Sequence, residues 1–171
     1  MLKSDKKLAE LNKMLANGKY NEINDRISML RTEEPFEGAI RSLALFYDNT
    51  SDEGLKSIIT AFLNDMKESS CRAEVIESLK SVSNQASRAM LASSCWQSGL
   101  DYSDYAVTLA DAFLTGDCMT SFECFTVLEN CAGTISDKDR AGIIIKLERE
   151  IPGYDASIQK LARELITLLK G

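Results

Sequence analysis

The sequence predicts an all-α protein, a stack of about five antiparallel helical hairpins in one domain over residues 1–171. Three observations carry that expectation. Apolar residues recur at helical spacing along the whole chain. The segments they define are bounded by capping residues and glycines that leave loops of two to five residues, short enough to join antiparallel neighbours. The residues that open alternate helices, Asn21, Asp52, Asn84, Asp117 and Asp155, lie about 31, 32, 33 and 38 residues apart, in the range of helical hairpin arrays.

Each element follows from its own residues. Ser4 and Asp5 can cap a first helix with Leu8, Leu11 and Leu15, which Gly18 ends. Asn21 opens a second, carrying Ile23, Ile27 and Leu30. Pro35 stands where the first turn of a third helix should be, ahead of Ile40, Leu43, Ala44 and Tyr47. Ser51 and Asp52 cap a fourth, with Leu55, Ile58, Ile59, Phe62, Leu63 and Met66. Ser69 and Ser70 precede a fifth, with Val75, Ile76, Leu79 and Val82. Asn84 opens a sixth through Met90, Leu91 and Trp96, closed by Gly99. Ser103 and Asp104 open a seventh, with Val107, Leu109, Ala110, Phe113 and Leu114, stopped by Gly116. Asp117 opens an eighth through Phe122, Phe125 and Leu128, stopped by Gly133. Ser136 and Asp137 open a ninth that ends at Pro152 and Gly153, and Asp155 opens a tenth through Ile158, Leu161, Leu165, Ile166 and Leu169. The run Ile143-Ile144-Ile145 is the best strand candidate, but it sits among helix formers behind an N-terminal cap and is read as helix.

The first helices of the pairs repeat as well. Val75, Leu109 and Ile143 are about 34 residues apart, as are Leu79, Phe113 and Leu147. A single hairpin cannot bury both of its apolar faces, and stacking at constant offset buries each against its neighbour. The second helices, Asp52-Glu53-Gly54-Leu55-Lys56-Ser57-Ile58-Ile59 and, more loosely, Asn84-Gln85-Ala86-Ser87-Arg88-Ala89-Met90-Leu91, place a cap, a basic residue and apolar positions in one order. In this the chain resembles HEAT-like, armadillo-type repeat proteins, in particular bacterial ones. Ser121 and Gln159 replace the basic residue in later units, and the kinking proline usual in the first helix is missing. The resemblance implies a right-handed α-solenoid whose second helices line the concave side and whose role is to hold another macromolecule. A TPR array is the alternative, on a period near 34 and the turn Leu15-Ala16-Asn17-Gly18-Lys19-Tyr20.

Composition narrows the function. The chain carries a net charge of −6 and no histidine. The first argues against nucleic acid, whose phosphates need Lys and Arg. The second removes the commonest general base and metal ligand. The basic start Met1-Leu2-Lys3-Ser4-Asp5-Lys6-Lys7 leads into no apolar run, and no stretch reaches the roughly 20 apolar residues of a membrane span. The expectation is a cytoplasmic protein with no membrane partner. Five cysteines, an odd count, argue against a disulfide framework. Cys118, Cys124 and Cys131 lack the spacing of a metal site and are expected as small buried apolar fillers, so neither metal nor cofactor is expected. The glycines stand singly at helix ends and form no phosphate loop.

Residues 89–137 contain no Lys or Arg but include Asp101, Asp104, Asp111, Asp117, Glu123, Glu129 and Asp137, so this block carries essentially the whole net charge. Asp101, Asp104, Asp117 and Glu123 can form a surface for a basic protein or peptide, although Asp104 and Asp117 also suit helix starts. Trp96, Tyr102 and Tyr105 are of the types enriched in interface hot spots. The helical spacing of Trp96 from Ala89 and Ala92 nevertheless favours the core for its ring. Lys3, Lys6, Lys7 and Lys13 make a basic N-terminal face, read as solvated.

The expected function is therefore a non-enzymatic scaffold or adaptor that binds a basic or amphipathic partner near the second-helix surface of residues 89–137. A structural subunit of a larger assembly is the alternative. A HEAT-like nucleic-acid-modifying enzyme, for which DNA glycosylases are the precedent, would need a basic surface where this chain is acidic.

Overall fold

A computed structural model describes residues 3–171, except for the side chain of Lys3. Met1 and Leu2, with which the basic start was read, lie outside the described residues. Ten α-helices follow one another, with no strand among the described residues. They are α1 (Lys3–Asn17), α2 (Tyr20–Leu30), α3 (Ala39–Asn49), α4 (Glu53–Asn64), α5 (Arg72–Ser81), α6 (Gln85–Gln97), α7 (Ala106–Thr115), α8 (Cys118–Cys131), α9 (Asp137–Glu150) and α10 (Ala156–Lys170). Short 3-10 turns at Ser69–Cys71, Ser103–Tyr105 and Ile151–Gly153 lead into or follow α-helices. The isoleucine run 143–145 is helical, inside α9.

Side-chain caps set four of the helix starts. Asp52 accepts from the Leu55 amide, Asp117 from Thr120, Ser136 from Asp139, and Asp155 from Ser157 and Ile158. Each side chain satisfies an amide that the helix itself leaves unpaired. Gly99 follows α6 at φ 72°, a left-handed conformation that costs glycine no Cβ clash.

Other starts differ from the sequence reading. Ser4 and Asp5 lie within α1, and α2 begins at Tyr20, ahead of Asn21. Pro35 does not open α3. That helix begins four residues later behind Gly38, which has φ 89° and no side-chain cap. Its free amides are served from α5, where the Glu74 carboxylate accepts from the amides of Gly38 and Ile40, the latter at 2.8 Å. Asn84 stands at the N-cap of α6 but does not cap it. Its amide side chain donates to the Asp48 backbone oxygen at 2.7 Å, while Asp48 Oδ2 and Oδ1 accept from the amides of Ser83 and Asn84 at 2.9 and 3.0 Å. Neither Ser103 nor Asp104 caps α7, which begins at Ala106 after the 3-10 turn.

The helices meet in a regular order. Sequential partners touch in the pairs α1–α2, α3–α4, α5–α6, α7–α8 and α9–α10. Even-numbered helices also contact one another in series from α2 through α4, α6 and α8 to α10, and α1–α3, α3–α5 and α7–α9 meet likewise. One apolar cluster runs through these contacts from Leu11 in α1 to Leu169 in α10.

Candidate interaction surface

In the even series the contact between α6 and α8 is the most extensive, and small side chains contribute to it. The buried face of α6 includes Ala92, Ser94 and Cys95, and that of α8 includes Thr120, Ser121 and Cys124. Small side chains at a contact shorten the distance between helix axes. The buried hydroxyls are satisfied: Ser94 Oγ donates to the Leu91 carbonyl at 2.7 Å, and Ser121 Oγ reaches across to the Phe113 carbonyl at 2.6 Å.

Phe125, Val127 and Leu128 are also buried on α8, but other large apolar side chains are left outside. On α8, Met119 is 57% and Phe122 51% exposed, where the apolar stripe placed Phe122 in the core. Val107 on α7 and Ile145 on α9, read as stripe residues too, are likewise exposed. Trp96 also departs from the core expectation. It is 37% exposed, and its indole Nε1 donates to Glu123 Oε2 at 2.7 Å. With 3.6 residues per turn, Met119, Phe122, Glu123 and Thr126 share one face of α8. The face that carries the carboxylate holding Trp96 is thus the one that exposes Met119 and Phe122.

The other candidate residues divide into two groups. Tyr102 is buried at 1% exposure, out of reach of any partner, with its hydroxyl beside Cys95 and Ser98. Burial pushes that phenol well above its ordinary pKa. Tyr105 is half-buried, its ring 6.2 Å from that of Tyr102. Arg72, at the start of α5, locks this loop. Its guanidinium lies 5.8 Å from the centre of the Tyr105 ring, donates to the Asp101 carbonyl, and pairs with Asp104 at 3.5 Å. Asp101 Oδ1 accepts from the Ser103 amide at 2.9 Å and the Thr134 hydroxyl at 3.3 Å. Burial works against the Asp101 charge, but those donors and the nearby Arg72 outweigh it and hold the carboxyl below its usual pKa.

The acidic block is therefore less bare than its sequence. Arg72 answers Asp101 and Asp104 from α5, and Lys146 answers Asp111 from α9. Asp117 is exposed and serves as the α8 cap. Glu123 and Glu129 stay on the outer side of α8, half-buried and exposed respectively. Arg88, one residue before the cation-free stretch, is half-buried, and its Nε is closed off from solvent without a hydrogen-bond partner.

The cysteines split in the same way. Cys95, Cys124 and Cys131 fill the α6–α8 core, as their small apolar character suggests. Burial raises their thiols, Cys95 to about 12 and Cys131 to about 11. Cys118, the first residue of α8, is exposed instead, because it sits on the turn that Asp117 caps rather than on the buried face. Among the described residues no three His, Cys, Asp or Glu side chains gather to hold a metal ion, and no helix is long and apolar enough to cross a membrane.

What this surface offers chemically is contact: exposed Met, Phe and Trp beside carboxylates. No family model, curated protein or solved structure matches the chain.

Proposed function

We propose that the chain is a non-enzymatic interaction scaffold or adaptor of the cytoplasm, built as a right-handed HEAT-like α-solenoid of about five hairpins. Its partner is a basic or amphipathic protein or peptide that meets the outer faces of α6 and α8. The serial contacts of the even helices support the solenoid, since stacked hairpins bring second helices together in that order. The exposed pair Met119 and Phe122 beside the Trp96–Glu123 bond is the observation that carries the reading. Aromatic and Met side chains are enriched at interfaces, whereas an isolated fold gains nothing by exposing them. The carboxylates of Asp117, Glu123 and Glu129 favour a basic partner. Asp101 and Asp104 contribute less, because Arg72 already faces them.

A structural subunit of a larger assembly is the second reading. Ile145, 65% exposed on α9, and Leu168 on α10 favour it, as both belong to the last helical pair. A nucleic-acid-modifying activity has less support, since the candidate surface presents the carboxylates of α8 and phosphates need Lys and Arg.

Affinity capture at low and high salt separates these readings. A partner held at low salt, released at high salt and lost with the double variant Glu123→Gln/Glu129→Gln supports the acidic surface. A partner indifferent to salt and to that variant, but lost with Ile145→Ser, supports the assembly reading.

A further inference from the structure

Resting on the scaffold reading, we infer that the partner's bound element is a single amphipathic α-helix carrying Lys or Arg beside its apolar face, seated along α6 against α8. Shape is the first argument. On α6, Ala86, Ala89 and Ser93 follow one another at spacings of three and four, so they share one face, and Trp96 stands one turn further on. Ala86 is exposed and Ser93 half-buried, so the row reaches the outside at these two positions, with Ala89 between them buried at 8% exposure. On neighbouring α8, Met119 and Phe122 project outward. A low row of small side chains beside a raised row of large apolar ones is a seat for a helix, which can approach the small residues closely and bury its apolar face on the large ones. Strand addition by an extended peptide is not offered, since the described residues contain no sheet edge.

Charge is the second argument, and it selects the helix's flanks. Glu123 is fixed by the Trp96 indole between the two rows, while Asp117 and Glu129 stand at either end of the same helix, α8. Glu123 Oε2 accepts the indole hydrogen bond, and the carboxylate's other lone pairs remain for a Lys or Arg on the incoming helix. The seat extends along α6, 13 residues or roughly 20 Å at 1.5 Å per residue, so it matches about four turns of a partner helix.

Trp96 is the only tryptophan in the chain, so its fluorescence reports on this seat alone. The probes are three synthetic peptides of about 14 residues, without Trp or Tyr. The first is an amphipathic Leu/Lys helix, the second the same helix with Glu for Lys, and the third the Leu/Lys composition scrambled to destroy the apolar face. The expected result is a saturable change of Trp96 emission with the first peptide, and binding at least about tenfold weaker with the other two. Met119→Ser and Phe122→Ala, both exposed and checked for fold by circular dichroism, should each weaken the first peptide by about tenfold. An equal response to the scrambled peptide, or full affinity in both variants, overturns the inference. So does a concentration-dependent dimer of the chain that Phe122→Ala abolishes, since a second copy would then fill the seat. A natural partner captured equally by wild type and by Met119→Ser/Phe122→Ala would sink this seat while leaving the scaffold reading intact. Absence of any captured partner together with silent peptides would sink both.

Discussion

The indole Nε1 of Trp96 donates to Glu123 Oε2 at 2.7 Å, tying the last turn of α6 to the second turn of α8 on the outer surface. The bond orients a large ring that would otherwise swing. Glu123→Ala should therefore lower the steady-state anisotropy of Trp96 and shift its emission to longer wavelength. The unfolding free energy should fall by less than about 1 kcal/mol, because the pair is partly solvated. Unchanged anisotropy would mean that packing, not the carboxylate, holds the ring.

Glu74 does for α3 what a local cap does elsewhere. Removing its carboxylate leaves the amides of Gly38 and Ile40 without an acceptor while the helix start stays in place. Glu74→Ala should cost about 1 kcal/mol or somewhat more, the usual loss for a cap. Glu77→Ala, an exposed neighbour on the same helix, should cost less than half as much. Urea unfolding of the two variants provides the comparison, and equal losses would remove the capping role.

These two relationships mark where the sequence is legible and where it is not. Asp52, Asp117, Ser136 and Asp155 were readable as caps because a cap and its amide lie within three residues. The start of α3 was not, since its acceptor lies 34 or more residues away on α5. The helical class was legible because apolar residues recur at helical spacing in each segment. Met90, Leu91, Phe125 and Leu128 are buried as the stripes on α6 and α8 require, whereas Trp96 and Phe122 are exposed. Position on the helix face decides this rather than hydrophobicity alone, since Thr120, Ser121 and Cys124 are buried on the same helix that exposes Phe122. The acidic block looked bare in sequence because its counter-charges, Arg72 and Lys146, come from α5 and α9, outside the block. Tyr102 was grouped with Trp96 by residue type, yet packing separates them, one buried and one exposed.

Acid should weaken the fold through identifiable carboxyls. The Arg26 hydrogen bond, at 2.8 Å, holds the Glu33 carboxyl below its usual pKa against the cost of burial, with help from Lys7. Burial works against the charges of Asp48 and Asp101, but their hydrogen-bond donors prevail and lower both. A carboxyl whose pKa is lower folded than unfolded contributes stability that is fully present above its unfolded value, about 4. That contribution disappears as the pH falls through the lower, folded value. Urea midpoints should stay level from neutral pH to about 5 and then decline. Glu33→Gln and Asp101→Asn should each start less stable and decline less steeply. A slope identical to wild type in both would contradict the assignment.

Thiol labelling tests the α6–α8 packing without any partner. In the native state Cys118 should react quickly with a maleimide and the half-buried Cys71 slowly. Cys95, Cys124 and Cys131 should react only after denaturation, since burial both hides them and keeps them protonated. Fast native labelling of a second cysteine in α8 would show that its assigned inner face is wrong.

A partner proposed to sit on the outer face of α6 and α8 can be caught in place. A photo-crosslinking residue at Met119 is compared with the same residue at Ile145 on α9, which is no less exposed. In a native lysate an adduct should form from position 119 that the amphipathic Leu/Lys peptide competes away, and none from position 145. An adduct from position 145 alone, or from neither position, would contradict that placement.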